Sequence, residues 1–114
     1  MDNLVLGLDT FGDLPRDDSG ALFSHPAAIR QVIDEAVIAD ELGVDVIAVG
    51  EHHRPDYSIS APETVLAGIA ARTSRITLAS GVTVLSSDDP VRVFQRFATV
   101  DAISEGRAQV ILGR

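Results

Sequence analysis

The residues best equipped for chemistry are Glu51, His52 and His53, three polar side chains in a row after an apolar run. An imidazole titrates near neutrality and suits general acid–base or hydrogen-bonding work. Successive side chains alternate sides along an extended chain, so one histidine faces away from the other. A plainer reading stands beside the catalytic one: the pair only fixes loop geometry. A metal site is a third reading, but adjacent histidines with Glu51 do not easily converge on one ion. Nor does Asp9-Thr10-Phe11 supply the His-x-His of a metal-dependent hydrolase.

Three more segments hold candidates. Gly81 and the small residues around it, Ala79 and Ser80, allow a flat ligand close to the backbone, or simply allow a bend. Phe11 is either the wall for a planar ring or ordinary core. Arg114, after Gly113, offers a bidentate fork to an anion or phosphate, or is a plain surface arginine.

These segments share a position: each follows a run that reads as a strand. Segments 4–8, 45–49, 75–79 and 108–112 are short, β-branched and largely apolar, as strands covered on both faces should be. Three helices are expected between them. The first opens at Ser24-His25-Pro26, buries Ile29, Val32, Ile33, Ala36, Val37 and Leu42, and closes at Gly43. The second opens on a capping box, Ser60-Ala61-Pro62-Glu63, with Val65, Leu66, Ile69 and Ala70 inward. The third has Asp89 as N-cap, buries Val93, Phe94, Phe97 and Val100 or Ile103, and stops at Gly106.

The order is therefore βαβαβαβ, an α/β chain with parallel strands in sequential order. A doubly wound nucleotide fold would need G-x-G-x-x-G after the first strand. The long polar loop from Thr10 to Gly20 has the wrong spacing, and the absence of lysine removes a Walker-type site. Long loops at the carboxyl ends of strands suit the N-terminal part of a (β/α)₈ TIM barrel, which gathers its active site there. Four strands leave two open edges, so residues 1–114 are expected to be a partial barrel domain with the remainder absent. Alone, such a chain should be inactive and either poorly folded or self-associating.

Composition narrows the partners. The net charge is −8 with scattered arginines, which disfavours nucleic acid and anionic membranes. No apolar run approaches the roughly 18 residues of a membrane span, and Met1-Asp2-Asn3 is unlike a leader's basic start. The lack of cysteine excludes disulfides, thiolate metal sites and a cysteine nucleophile, and fits a cytoplasmic protein.

Taken together, the motifs resemble the bacterial luciferase-like flavin-dependent monooxygenases. The resemblance rests on Val49-Gly50-Glu51-His52-His53-Arg54, on the segments 60–63 and 70–76, on Leu78-Ala79-Ser80-Gly81-Val82, on Asp89-Pro90-Val91-Arg92, and on 101–107 with Gly113-Arg114. It covers nearly the whole chain in the right order. It implies a barrel of which this is the first part, reduced FMN as cofactor, and oxygen used on a small organic substrate. A separate flavin reductase and a homodimer are implied as partners. One branch of the family uses a deazaflavin for hydride transfer instead, and some members are non-catalytic flavin-binding or supporting subunits.

By position, the resemblance gives His52 the catalytic role beside the flavin ring. It gives Gly81 and Val82 a non-prolyl cis peptide in a flavin-binding bulge, and gives Arg114 a part in flavin binding. Gly113 falls where the luciferase catalytic subunit has a reactive cysteine, which argues against light emission. The Arg54-Pro55-Asp56-Tyr57 loop also departs from luciferase.

Overall fold

The computed structural model describes residues 3–114. Met1 and Asp2, on which the reading of the N-terminus rests, lie outside them. Four strands, β1 (Gly7–Thr10), β2 (Val46–Val49), β3 (Thr77–Val84) and β4 (Ala108–Gly113), alternate with α1 (His25–Leu42), α2 (Pro62–Ala70) and α3 (Pro90–Ser104). The strands form one parallel sheet in the order β1-β2-β3-β4, as the sequence predicts.

The helix ends follow local chemistry. Ser24 Oγ accepts from the Ala27 amide, and Asp89 Oδ1 from the Arg92 amide. Gly43, at φ 83°, closes α1 by donating to the carbonyls of Ala39 and Asp40. The expected capping box on α2 does not form: the N-cap is Ala61, without a side-chain bond. Glu63 instead pairs with Arg96 of α3 at 3.0 Å, a tertiary partner that outcompetes the local one.

The core lies between the sheet and the helices. Ile47, Val49 and Leu78 meet Leu66 and Ile69, all nearly sealed from solvent. On α3 the buried stripe is Val93, Phe97, Val100 and Ser104. Phe94 and Ile103, expected inside, are 72% and 47% exposed, because they sit one position off that stripe. Leu42, at the last turn of α1, is exposed as well.

Strand β1 starts later than its apolar run suggests. Leu4, Val5 and Leu6 precede it and are exposed, at an edge that no described element covers. Leu6 still borders β2: its amide donates to Asp45 Oδ2, and its carbonyl accepts from the Asp45 and Val46 amides. Strand β3 in turn runs five residues beyond its predicted end at Ala79, through a register shift between Gly81 and Thr83 that leaves Val82 as the extra residue. No helix is long and apolar enough to cross a membrane among the described residues.

Candidate active site at the carboxyl ends of the strands

The loops after β1 and β2 are joined along their length. The Leu14 amide donates to the Asp56 carbonyl, the Ser58 amide and hydroxyl both donate to the Gly12 carbonyl, and Asp13 and Tyr57 form an antiparallel bridge. His25 Nε2 meets the Pro55 carbonyl at 2.8 Å. Beneath this seam lies Ile59, 1% exposed. A Cβ on Gly12 would come within 2.8 Å of it. Gly12 also has φ +73°, so two independent constraints select glycine there.

The seam fixes the surroundings of His52. Its amide donates to the Ile59 carbonyl. The imidazole stacks on Tyr57, with centroids 4.2 Å apart and planes 13° from parallel, and Phe11 meets it edge-on at 5.6 Å. Phe11 is half exposed, so it is not part of the core. Nδ1 of His52 is sealed from solvent without a hydrogen-bond partner. Gly50 lies where His52, β1 and β3 approach one another. A Cβ there would be 3.2 Å from His52 Cε1, 3.3 Å from Phe11 Cα and 3.4 Å from the Gly81 carbonyl oxygen. His52 and Gly81 therefore share one end of the sheet.

Glu51 and His53, two residues apart, bond to each other rather than to His52. Glu51 is almost buried: Oε2 accepts from the Val84 amide at 2.8 Å, and Oε1 lies 2.7 Å from His53 Nε2. His53 itself is 58% exposed. The i, i+2 spacing held the signal for this pair.

Along β3, Ser80 Oγ accepts from the Ile111 amide at 3.1 Å and donates to its carbonyl at 3.3 Å, reinforcing the ladder before Val82. The peptide bond between Gly81 and Val82 is cis. A Cβ on Gly81 would lie 3.2 Å from the Ala48 Cβ, tighter than ordinary packing. A Cβ on Gly113 would lie 2.6 Å from Val82 Cγ2, so a side chain at 113 requires Val82 to move. Arg114 is exposed at the same end of the sheet, beside Leu85 and Ser86. No group of three His, Asp or Glu side chains able to hold a metal occurs among the described residues.

Phe11, Tyr57 and the His52 ring thus sit together at this end of the sheet, with Gly50 and Gly81 beside them. Sequence reasoning missed Tyr57, five residues beyond His52 in a polar loop, because no spacing rule joins them.

Comparison with known proteins identifies the family. Residues 10–114 match the family model described as luciferase-like monooxygenase, and the chain belongs to that family. Limonene 1,2-monooxygenase of Rhodococcus erythropolis is 39% identical over 93 residues, covering 81% of this chain and 23% of the relative. The oxygenase component of the flavin-dependent trigonelline monooxygenase of Acinetobacter baylyi is 31% identical over 90 residues, 75% of this chain and 25% of that one. Among solved structures, the oxygenating constituent of 3,6-diketocamphane monooxygenase from Pseudomonas putida, in complex with FMN, superposes with a TM-score of 0.82 at 27% identity. That match covers 97% of this chain and 29% of the other. The chain spans about a quarter of the length of the curated relatives it matches.

Proposed function

We propose that this chain is the N-terminal part of the barrel of a flavin-dependent monooxygenase acting on a small organic substrate. The observation that carries the reading is the approach of the His52 ring and the Gly81 carbonyl to one point at the carboxyl ends of β2 and β3, where barrel enzymes place their chemistry. Reduced FMN, when bound, supplies the electrons with which oxygen is activated and one oxygen atom inserted into the substrate.

The chain's own residues then divide the remaining work. Gly81 and Val82 would help to hold the flavin ring. His52 handles hydrogen bonding or proton transfer at the ring edge. Arg114 supplies positive charge at the fourth strand for an anionic part of the cofactor. An oxygenase component needs reduced flavin delivered to it, so a separate reductase in the cytoplasm is the expected partner. A homodimer of the full-length protein completes the reading.

Anaerobic titration of the full-length protein with reduced FMN, followed by oxygen and candidate substrates, tests this. In that protein, His52→Ala should keep flavin binding and lower turnover by about 10²–10⁴-fold, the usual range for a general acid–base group. Flavin binding without oxygenation would make the protein a carrier or supporting subunit. No binding would remove the reading altogether.

A further inference from the structure

We infer that His52 serves its ligand as a hydrogen-bond donor through Nε2, and that Tyr57 is the positioning residue that holds it in that role. The inference deepens the proposed function, on which it depends for the identity of the acceptor. The state of the ring itself is independent of any cofactor.

A working imidazole is normally oriented by a hydrogen bond to one ring nitrogen, which also sets the tautomer. His52 has none among the described residues. Its orientation comes from two aromatic rings instead: Tyr57 covers one face at 4.2 Å, and Phe11 closes an edge at 5.6 Å. Tyr57 is itself anchored. It bridges to Asp13, its amide donates to the Arg54 carbonyl, and the Arg54 guanidinium lies 5.5 Å from its ring centroid. Asp56 grips that guanidinium with both oxygens, at 2.9 and 2.7 Å. The stack is thus the end of a chain of contacts running through both loops.

The seal at Nδ1 then decides the tautomer. A buried N–H without an acceptor is among the rarest features of folded proteins, and an unfilled acceptor is less so. The neutral ring therefore leaves Nδ1 bare and carries its proton on Nε2, which is neither sealed nor bonded to any described residue. Nε2 is thereby left to donate to a carbonyl or a developing oxyanion.

Long-range proton–nitrogen correlation spectra of the full-length protein without flavin, labelled on histidine, at about pH 8 where an ordinary histidine is neutral, test the state of the ring. We expect one His52 tautomer, protonated at Nε2, with ring protons shifted upfield by the stacked phenol. Tyr57→Phe should preserve both signatures, whereas Tyr57→Leu should abolish the upfield shift and return the ring to the tautomer mixture of a solvated imidazole. An Nδ1–H tautomer in the unmodified chain, or ring shifts insensitive to Tyr57→Leu, would overturn the inference even if flavin binds. In the full-length protein, His52→Gln keeps a donor and should retain turnover within about tenfold, while His52→Ala should not. Equal losses would show a base rather than a donor. Failure to bind flavin would instead count against the proposed function, leaving the spectra to decide the state of the ring.

Discussion

The carboxylate of Asp40 and the amide of Ile76 meet at 2.7 Å, fastening the end of α1 to the entry of β3. Asp40 also accepts from the amides of Ser74 at 3.1 Å and Arg75 at 2.9 Å. Burial opposes its ionisation. The three amides and the Arg75 charge outweigh that and hold the carboxyl below its ordinary range.

A depressed carboxyl stabilises the fold above the unfolded-state value of about 3.9 and loses that contribution as pH falls through the lower folded-state value. Asp40→Ala leaves three amides without partners and should cost about 2–4 kcal/mol at neutral pH. Asp40→Asn keeps an acceptor but not the charge, so its deficit against the unmodified chain should shrink towards about pH 3. Urea denaturation at both pH values checks this; a deficit independent of pH would count against it.

Arg107 ties the same end of the sheet. Its guanidinium donates to the carbonyls of Ser104, Ile76, Ala70 and Thr73 and to the Thr73 hydroxyl, at 2.8 to 3.1 Å. Lysine has three donors on a flexible stem and lacks the planar fork. Arg107→Lys should therefore destabilise by about 2–3 kcal/mol, seen as a lower urea midpoint. A loss below about half a kcal/mol, typical of surface sites, would mean that this network adds little.

Gly12→Ala combines a left-handed backbone with a clash against Ile59. It should cost about 2–4 kcal/mol. Trimming the neighbour, in Gly12→Ala with Ile59→Val, should recover part of the loss in thermal melting. Additive penalties would show that backbone conformation alone matters.

The groove between α3 and β4, about 420 Å³, is lined by Val93, Phe94, Phe97, Val110 and Leu112. Beside it the β4 edge exposes Val110, Ile111 and Leu112 by 44 to 51%. Open parallel edges next to apolar surface promote association. The 114-residue chain should sediment as concentration-dependent oligomers, and Phe94→Glu with Val110→Lys should shift it towards monomer. A sharply melting monomer at every concentration would contradict this.

Strand order and most helix ends were legible because their determinants are local. Ser24, Asp89 and Gly43 act within a few residues of themselves, and the apolar runs recur at the spacing of βα units. Where the deciding partner is distant, the reading failed. Glu63 left its capping role for Arg96, and Phe94 fell outside the stripe because periodicity alone does not fix a helix's rotation. The motifs behind the family resemblance proved to be of two kinds. Segments 70–76 and 101–107 include the Arg75 and Arg107 network at the amino ends of β3 and β4, where barrels keep stability rather than chemistry. Glu51, His52, Gly81 and Arg114 gather at the opposite ends. Tyr57 was invisible as a partner of His52, since only the seam between two loops brings them together.

That seam constrains how the entrance can vary. Loops ordinarily tolerate insertions and deletions independently of one another. Here a residue gained or lost between Gly12 and Leu14 would slip every bond to residues 56–58 and rotate Tyr57 off its imidazole. Changes of length on one side are therefore tolerated only with matching changes on the other, and the two segments should be exchanged as a pair when the entrance is regrafted.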